Sequence, residues 1–310
     1  MTTPRVLVTP RSMSVPDAPA VRRLRAAGYT VVTPAPGRQP TTGELTAAVP
    51  GVVGWIAGVE PIGADVLAHA DALRAISRNG AGSDAIDTAA AEAAGIRVLT
   101  ARGANAQGVA ELALALALMG LRGLPEAADA LRGGQWRRHT GREAADRTLG
   151  VVGFGAIGRR LAGLAQGLGM RVVAHDPFVT DGAGVALLPL AEVLRTSEVV
   201  SLHVPPDPAG PLLGAAELAL LRDDAVLLNT ARSTLVNEAA LLAELTAGRI
   251  ALYSVDAFDR EPPEPSELLR HPRVVATPHL GAATTESVRR ASEAAVENLL
   301  AVLRTPATGT

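Results

Sequence analysis

With 310 residues, a formal charge of -2 and a pI near 6.3, the chain is long enough for two domains and carries no massed basic surface. This argues against nucleic acid or an anionic membrane as a partner. It contains no Cys and no Lys, all 29 basic residues being Arg. Disulfides, thiolate metal sites, Cys nucleophiles, Schiff-base chemistry and a P-loop lysine are therefore excluded, no metal is expected, and phosphate groups must be held by backbone N–H groups and Arg.

In chain order, residues 5–10 (RVLVTP) read as a buried strand closed by Pro, and residues 18–34 as a helix ending at Gly28 with a second strand behind it. GVVGWIAG reads as a third strand, and the alternation of helix and short strand continues to about residue 101, which describes a small α/β domain. Residues 105–122 (NAQGVAELALALALMGLR) are ambiguous, because Leu112, Leu114, Leu116 and Leu118 alternate as in a strand. Length and Ala/Leu/Met content favour a helix with Asn105 as N-cap, buried on all sides between domains or subunits. A polar, Gly-punctuated arm follows. The uncharged apolar run 112–121 is half a membrane span and the N-terminal apolar run is too short for a signal peptide, so a soluble cytoplasmic protein is expected.

From Leu149 a second alternation begins, and its repeated crossovers predict a parallel, doubly wound sheet. Its first unit, LGVVGFGAIGRRLAGLAQGLGMRVVAHDPF, places Gly153, Gly155 and Gly158 in a G-x-G-x-x-G pattern between strand and helix, with Asp176 ending the next strand. These three positions serve a tight turn, close approach of a pyrophosphate, and packing of helix on strand, and the helix N-terminus adds donors and positive dipole. Asp176 is placed to accept from ribose hydroxyls and to repel a 2'-phosphate, so NAD is expected over NADP; its alternative is a turn residue before Pro177. A closing helix, TTESVRRASEAAVENLLAVLR, opens with an imperfect capping box.

Three more positions fall at predicted strand ends of this second half: Arg232, Glu261 and His279. On spacing alone each reads first as ordinary: a surface charge, a loop carboxylate and a turn histidine. Together they make an anion clamp, a carboxylate and the acid-base group it orients.

The segments VVGFGAIGRRLA, HDPF, NTARSTLVNEAALLAEL, DAFDREPP and TPHLGAAT, in this order, resemble the D-isomer-specific 2-hydroxyacid dehydrogenase family, in particular its phosphoglycerate-dehydrogenase-like branch. Residues 78–118 resemble the same family upstream. The resemblance implies an α/β protein of two doubly wound parallel-sheet domains, Rossmann-like and flavodoxin-like, with an interdomain cleft. Residues 1–101 plus 285–310 are then a discontinuous substrate domain and 102–284 the NAD domain. It implies that His279 exchanges the proton, Glu261 holds His279, and Arg232 binds the carboxylate or 2-oxo oxygen of a small 2-oxo or 2-hydroxy acid. Further substrate contacts fall to Arg78, Asn79, Gly80, Ala81 and Gly82. The cofactor is assigned to Gly153, Phe154, Gly155, Ala156, Ile157, Gly158, Asp176, His203, Val204, Pro205, Thr230, Ala231, Asp256, His279 and Gly281, with Asp256 open to a second reading as a strand-end residue. A homodimer is implied.

The chain departs from the family pattern at Ser233, where Gly is common, and at Pro206 and Asp207, where Leu-Thr is common. No Arg occurs from Gln39 to Leu73, a stretch in which phosphoglycerate dehydrogenases often carry one, so Arg78, Arg102, Arg137 and Arg138 are the remaining candidates for an anionic tail, a phosphate or phosphonate. Two alternatives stand beside the dehydrogenase: an NAD-sensing corepressor scaffold, and another enzyme of the same fold, of the formate- or phosphite-oxidising kind.

Overall fold

The computed structural model describes residues 3–15 and 17–305; the other residues of the expected domain ranges lie outside it. The chain divides into two compact units, 1–105 with 285–310, and 106–284.

Unit 1 runs β1 (Arg5–Val8), α1 (Pro19–Ala26), β2 (Thr30–Val32), α2 (Thr42–Ala48), β3 (Val52–Ala57), α3 (Ala64–Leu67), β4 (Ala75–Arg78), α4 (Thr88–Ala93) and β5 (Arg97–Thr100). Its five strands form one parallel sheet in the order β2-β1-β3-β4-β5. Local chemistry explains several boundaries. Pro19 opens α1, Gly28 at φ 91° follows it, Thr41 and Glu44 form a capping box at α2, and Asp87 caps α4 by accepting from Ala90 N at 2.9 Å.

Unit 2 runs α5 (Ala106–Arg122), α6 (Leu124–Arg132), β6 (Thr148–Val152), α7 (Ala156–Gly167), β7 (Arg171–His175), β8 (Ala186–Leu187), α8 (Leu190–Thr196), β9 (Val199–Leu202), α9 (Ala215–Leu218), β10 (Ala225–Asn229), α10 (Glu238–Thr246), β11 (Ile250–Val255), α11 (Glu267–Arg270) and β12 (Val274–Ala276). Its seven-stranded sheet has the order β12-β11-β10-β9-β6-β7-β8, with every pairing parallel. Helices cover both faces, so β6 and β10 are buried at every residue and read as continuous apolar runs rather than alternating ones. Strand order reverses between β6 and β9, the topological switch point of a doubly wound sheet.

The last helix, α12 (Thr285–Arg304), packs on β3, β4, β5 and α1 and so belongs to unit 1. Leu299 and Leu303 lie against Gly54 of β3, where a Cβ would come within 3.0 and 2.9 Å of their methyl groups. Arg74 donates to the terminal carbonyls of α12, Val302 O at 3.1 Å and Leu303 O at 3.2 Å, placing a cation on the negative end of the helix dipole.

Residues 106–122 are helical, and the chain by itself buries only part of the helix surface. Glu111, Ala115 and Leu118 form an exposed strip on α5, because the sheet covers only the side on which Gly120 meets Val226 and Leu252. Asn105 stands directly before the helix, at the N-cap position, but its Oδ1 is buried and makes no hydrogen bond. The segment read as a polar arm begins with α6, which has no buried residue. No single helix among the described residues is long and apolar enough to cross a membrane.

Candidate active site

In unit 2 the expected residues fall directly beyond the C-terminal ends of successive strands, the edge at which doubly wound sheets bind ligands. Gly153 follows β6, Asp176 follows β7, His203 follows β9, Thr230 follows β10 and Asp256 follows β11; His279 lies three residues past β12.

The glycine turn has the geometry its spacing predicts. Gly153 adopts φ 95°, and a Cβ there would come within 2.5 Å of His203 O. A Cβ at Gly158 would run into the Gly153 carbonyl oxygen, so helix and strand can approach only without a side chain. Gly155 is different. It is the N-cap of α7, no side chain caps the helix, and its missing Cβ would point into open space. The first N–H groups of the helix, with Ala156 and Ile157, are thus left uncapped beneath a vacant approach, which suits an anion such as a pyrophosphate. Phe154 is buried, and its ring carries the Arg159 guanidinium 4.7 Å from the centroid.

Asp176 accepts from Phe154 N at 2.8 Å through one oxygen and from Phe178 N at 2.9 Å through the other. These bonds fix the carboxylate beside the glycine turn. A carboxylate has about four acceptor positions, so capacity remains for two hydroxyls. His203 is held between Ser201 Oγ at 2.9 Å and Thr230 Oγ1 at 3.4 Å, and burial pulls its pKa down to about 4, leaving it neutral near pH 7. Val204 and Pro205 continue from it.

His279 and Glu261 are paired. His279 Nδ1 lies 2.9 Å from Glu261 Oε1 and 3.1 Å from Oε2, which leaves Nε2 as the nitrogen that can meet a substrate. Partial burial pushes the Glu261 carboxyl up, but the Phe258 N–H bond, the His279 bond and the charges of His279 and Arg232 outweigh it, and the net pKa is lowered. Arg232 stands in an extended conformation at the entry to a 3-10 turn, and its Nη1 donates to Ala231 O at 2.7 Å.

His279 has φ 54°, unusual for a residue with a Cβ. Its loop is gathered by Asp256, which is 1% exposed. Asp256 Oδ1 accepts from Thr277 Oγ1 at 2.6 Å and Leu280 N at 2.7 Å, Oδ2 accepts from Gly281 N at 2.8 Å, and its main-chain oxygen accepts from His279 N at 2.9 Å. Four bonds from one residue hold the strained histidine, so Asp256 does more than end a strand.

Sequence reasoning missed Asn229 and Thr277, whose side chains shape the Arg232 and His279 turns. The signal for Asn229 was its position, a lone amide closing the apolar run AVLLN.

Arg78, Asn79, Gly80, Ala81 and Gly82 belong to unit 1, on the last residue of β4 and the loop beyond it. Gly80 takes φ 154°, its oxygen accepts from Ala101 N at 2.9 Å, and Arg78 folds back to donate to Asn79 O. The loop after β3 runs alongside: Asn79 N donates to Ala57 O at 2.8 Å and Ile62 N to Ala85 O at 2.7 Å. That loop carries exposed Val59 and Glu60, which is buried and accepts from Gly58 N at 2.9 Å and from Thr9 Oγ1.

A family model described as D-isomer specific 2-hydroxyacid dehydrogenase, NAD binding domain, matches residues 114–281. The chain is 36% identical over 248 residues to the D-3-phosphoglycerate dehydrogenase of Methanocaldococcus jannaschii, covering 77% of this chain and 47% of the relative. It is 36% identical over 243 residues to the hydroxypyruvate reductase of Thermotoga maritima, covering 76% and 79%. It thus spans about half the length of the former and most of the latter. A crystal structure of a protein from Thermus thermophilus is 38% identical, with 96% of each chain covered and a TM-score of 0.85.

Proposed function

This chain belongs to the D-isomer specific 2-hydroxyacid dehydrogenase family, and from that premise we propose that it interconverts a small 2-oxo acid and the corresponding D-2-hydroxy acid with NAD. The observation that carries the proposal is the 2.9 Å contact of His279 with Glu261, made in the same unit as an uncapped Gly155 helix terminus and a fixed Asp176.

When bound, the nicotinamide supplies or accepts the hydride at the 2-oxo carbon. The protein's own residues do the rest. The N–H groups at the start of α7 hold the pyrophosphate, and Asp176 accepts from the adenosine ribose and repels a 2'-phosphate. Arg232 grips the carboxylate or the 2-oxo oxygen. In reduction, protonated His279 donates from Nε2 to the nascent hydroxyl oxygen while Glu261 holds Nδ1; in oxidation, neutral His279 takes the proton back.

Of the substrate types suggested by the relatives, an unphosphorylated acid such as hydroxypyruvate is favoured over a phosphate-bearing one. No Arg occurs from Gln39 to Leu73, the stretch in which phosphoglycerate dehydrogenases often carry one. A panel containing glyoxylate, pyruvate, hydroxypyruvate and its 3-phosphate, followed by NADH consumption, tests the proposal: turnover of an unphosphorylated member is expected, and inactivity toward all members overturns it. A homodimer is proposed as well. Leu118, Leu124, Leu131 and Trp136 are 36%, 51%, 59% and 82% exposed along α5, α6 and the segment that follows, an apolar surface that a second copy would cover. Sedimentation equilibrium should give twice the chain mass, and the monomer mass at micromolar concentration would refute it.

A further inference from the structure

Asn229 ends β10 and is fully buried, yet no step outlined above uses it. Its amide is spent on the residues immediately after it. Nδ2 donates to Arg232 O at 2.7 Å, Oδ1 accepts from Ala231 N at 3.2 Å, and Nδ2 also reaches Tyr253 Oη on β11 at 3.3 Å. The Asn229 main-chain oxygen accepts from Asp256 N at 3.1 Å, so the same residue joins the Arg232 turn to the residue that gathers the His279 loop.

A buried amide is costly unless satisfied, and a satisfied one fixes what it binds. Here the bound groups are the Ala231 amide and the Arg232 carbonyl, which bracket the Ala231–Arg232 dipeptide. Holding Arg232 O fixes its extended backbone, at φ -149° and ψ 138°, and hence the direction in which the guanidinium leaves the chain. Tyr253 is buried, and burial raises the pKa of its phenol, so this partner stays neutral and the network is not switched by pH.

We infer that Asn229 is a positioning residue for the reaction, acting on the 2-oxo acid only through Arg232, by locking the turn that aims the guanidinium. The inference rests on the reading of Arg232 as the substrate-holding side chain.

A double-mutant cycle tests it. Asn229→Ala, Arg232→Lys and the double variant are compared for kcat/KM of the best 2-oxo acid, for NADH dissociation constant by fluorescence, and for Tm. Because a misplacement of about 1 Å can cost about 100-fold in rate, Asn229→Ala should lower kcat/KM by about 10- to 100-fold, with NADH affinity within about twofold of wild type. In the Arg232→Lys background the same change should cost less than about threefold, since the group it aims is already gone. Asn229→Asp keeps the acceptor for Ala231 N but has no donor for Arg232 O; it should behave like the Ala variant and serves in its place if that chain does not fold. Equal losses in both backgrounds, or NADH affinity falling in step with kcat/KM, would show a general structural role and overturn the inference while leaving the dehydrogenase reading intact. A wild-type chain inert toward every 2-oxo acid overturns both.

Discussion

Replacing Glu261 with Gln removes the charge opposite His279 while keeping the shape of the side chain. The pair is 2.9 Å apart, but His279 and Glu261 are 45% and 41% exposed, so the magnitude belongs to the solvated class of ion pairs, about 0.5–1 kcal/mol. At about 1.4 kcal/mol per factor of ten, losing it should cost about two- to fivefold in kcat/KM for the 2-oxo acid, whose reduction needs the imidazolium that the carboxylate favours. The assay is kcat/KM for reduction at neutral pH in wild type and variant, with the NADH dissociation constant measured beside it. A variant with wild-type kcat/KM, or one whose NADH affinity falls in step with the rate, would refute the pairing.

Asp176→Ser should weaken NADH and narrow its advantage over NADPH, since the ribose acceptor and the repulsion of a 2'-phosphate are lost together; an unchanged ratio of kcat/KM for the two cofactors removes Asp176 from the site. Arg232→Lys keeps the charge but loses the planar fork, and should lower kcat/KM for the 2-oxo acid by at least about tenfold with the NADH dissociation constant unmoved; collapse of cofactor binding instead would make the residue structural. Gly155→Ala and Gly158→Ala should separate binding from folding. The first has free space around its new methyl, so Tm should hold while NADH affinity drops, whereas the second drives a methyl into Gly153 O and should cost stability outright. The reverse order in thermal unfolding would contradict the account of this turn.

Much of unit 2 was legible because its signals are local. The glycine spacing, the apolar runs and the polar residue closing each run lie within a few positions of one another, and parallel strands bring such run-ends to one edge. Residues 106–122 are helical for a similarly local reason, composition outweighing an accidental alternation of leucines. What the sequence hid is long-range. Asp256 reaches Thr277, 21 positions on, and Asn229 reaches Tyr253, 24 positions on; neither spacing is a period of helix or strand. Exposure was hidden too: hydrophobicity says that Leu118 and Leu131 prefer burial, not whether the rest of the chain has surface to cover them. The left-handed backbone of His279 was unreadable, since no Gly or Asn marks it and the conformation is imposed by Asp256.

The most direct measurement compares wild type with His279→Asn on the 2-oxo acid the panel identifies, in single-turnover reduction with NADH binding measured separately. The account predicts a loss of about 100- to 10,000-fold in the reduction rate with NADH affinity unchanged, because the variant keeps a polar side chain at the position but cannot deliver the proton. A variant that retains its rate within about threefold would contradict the claim that His279 is the acid-base group of this site.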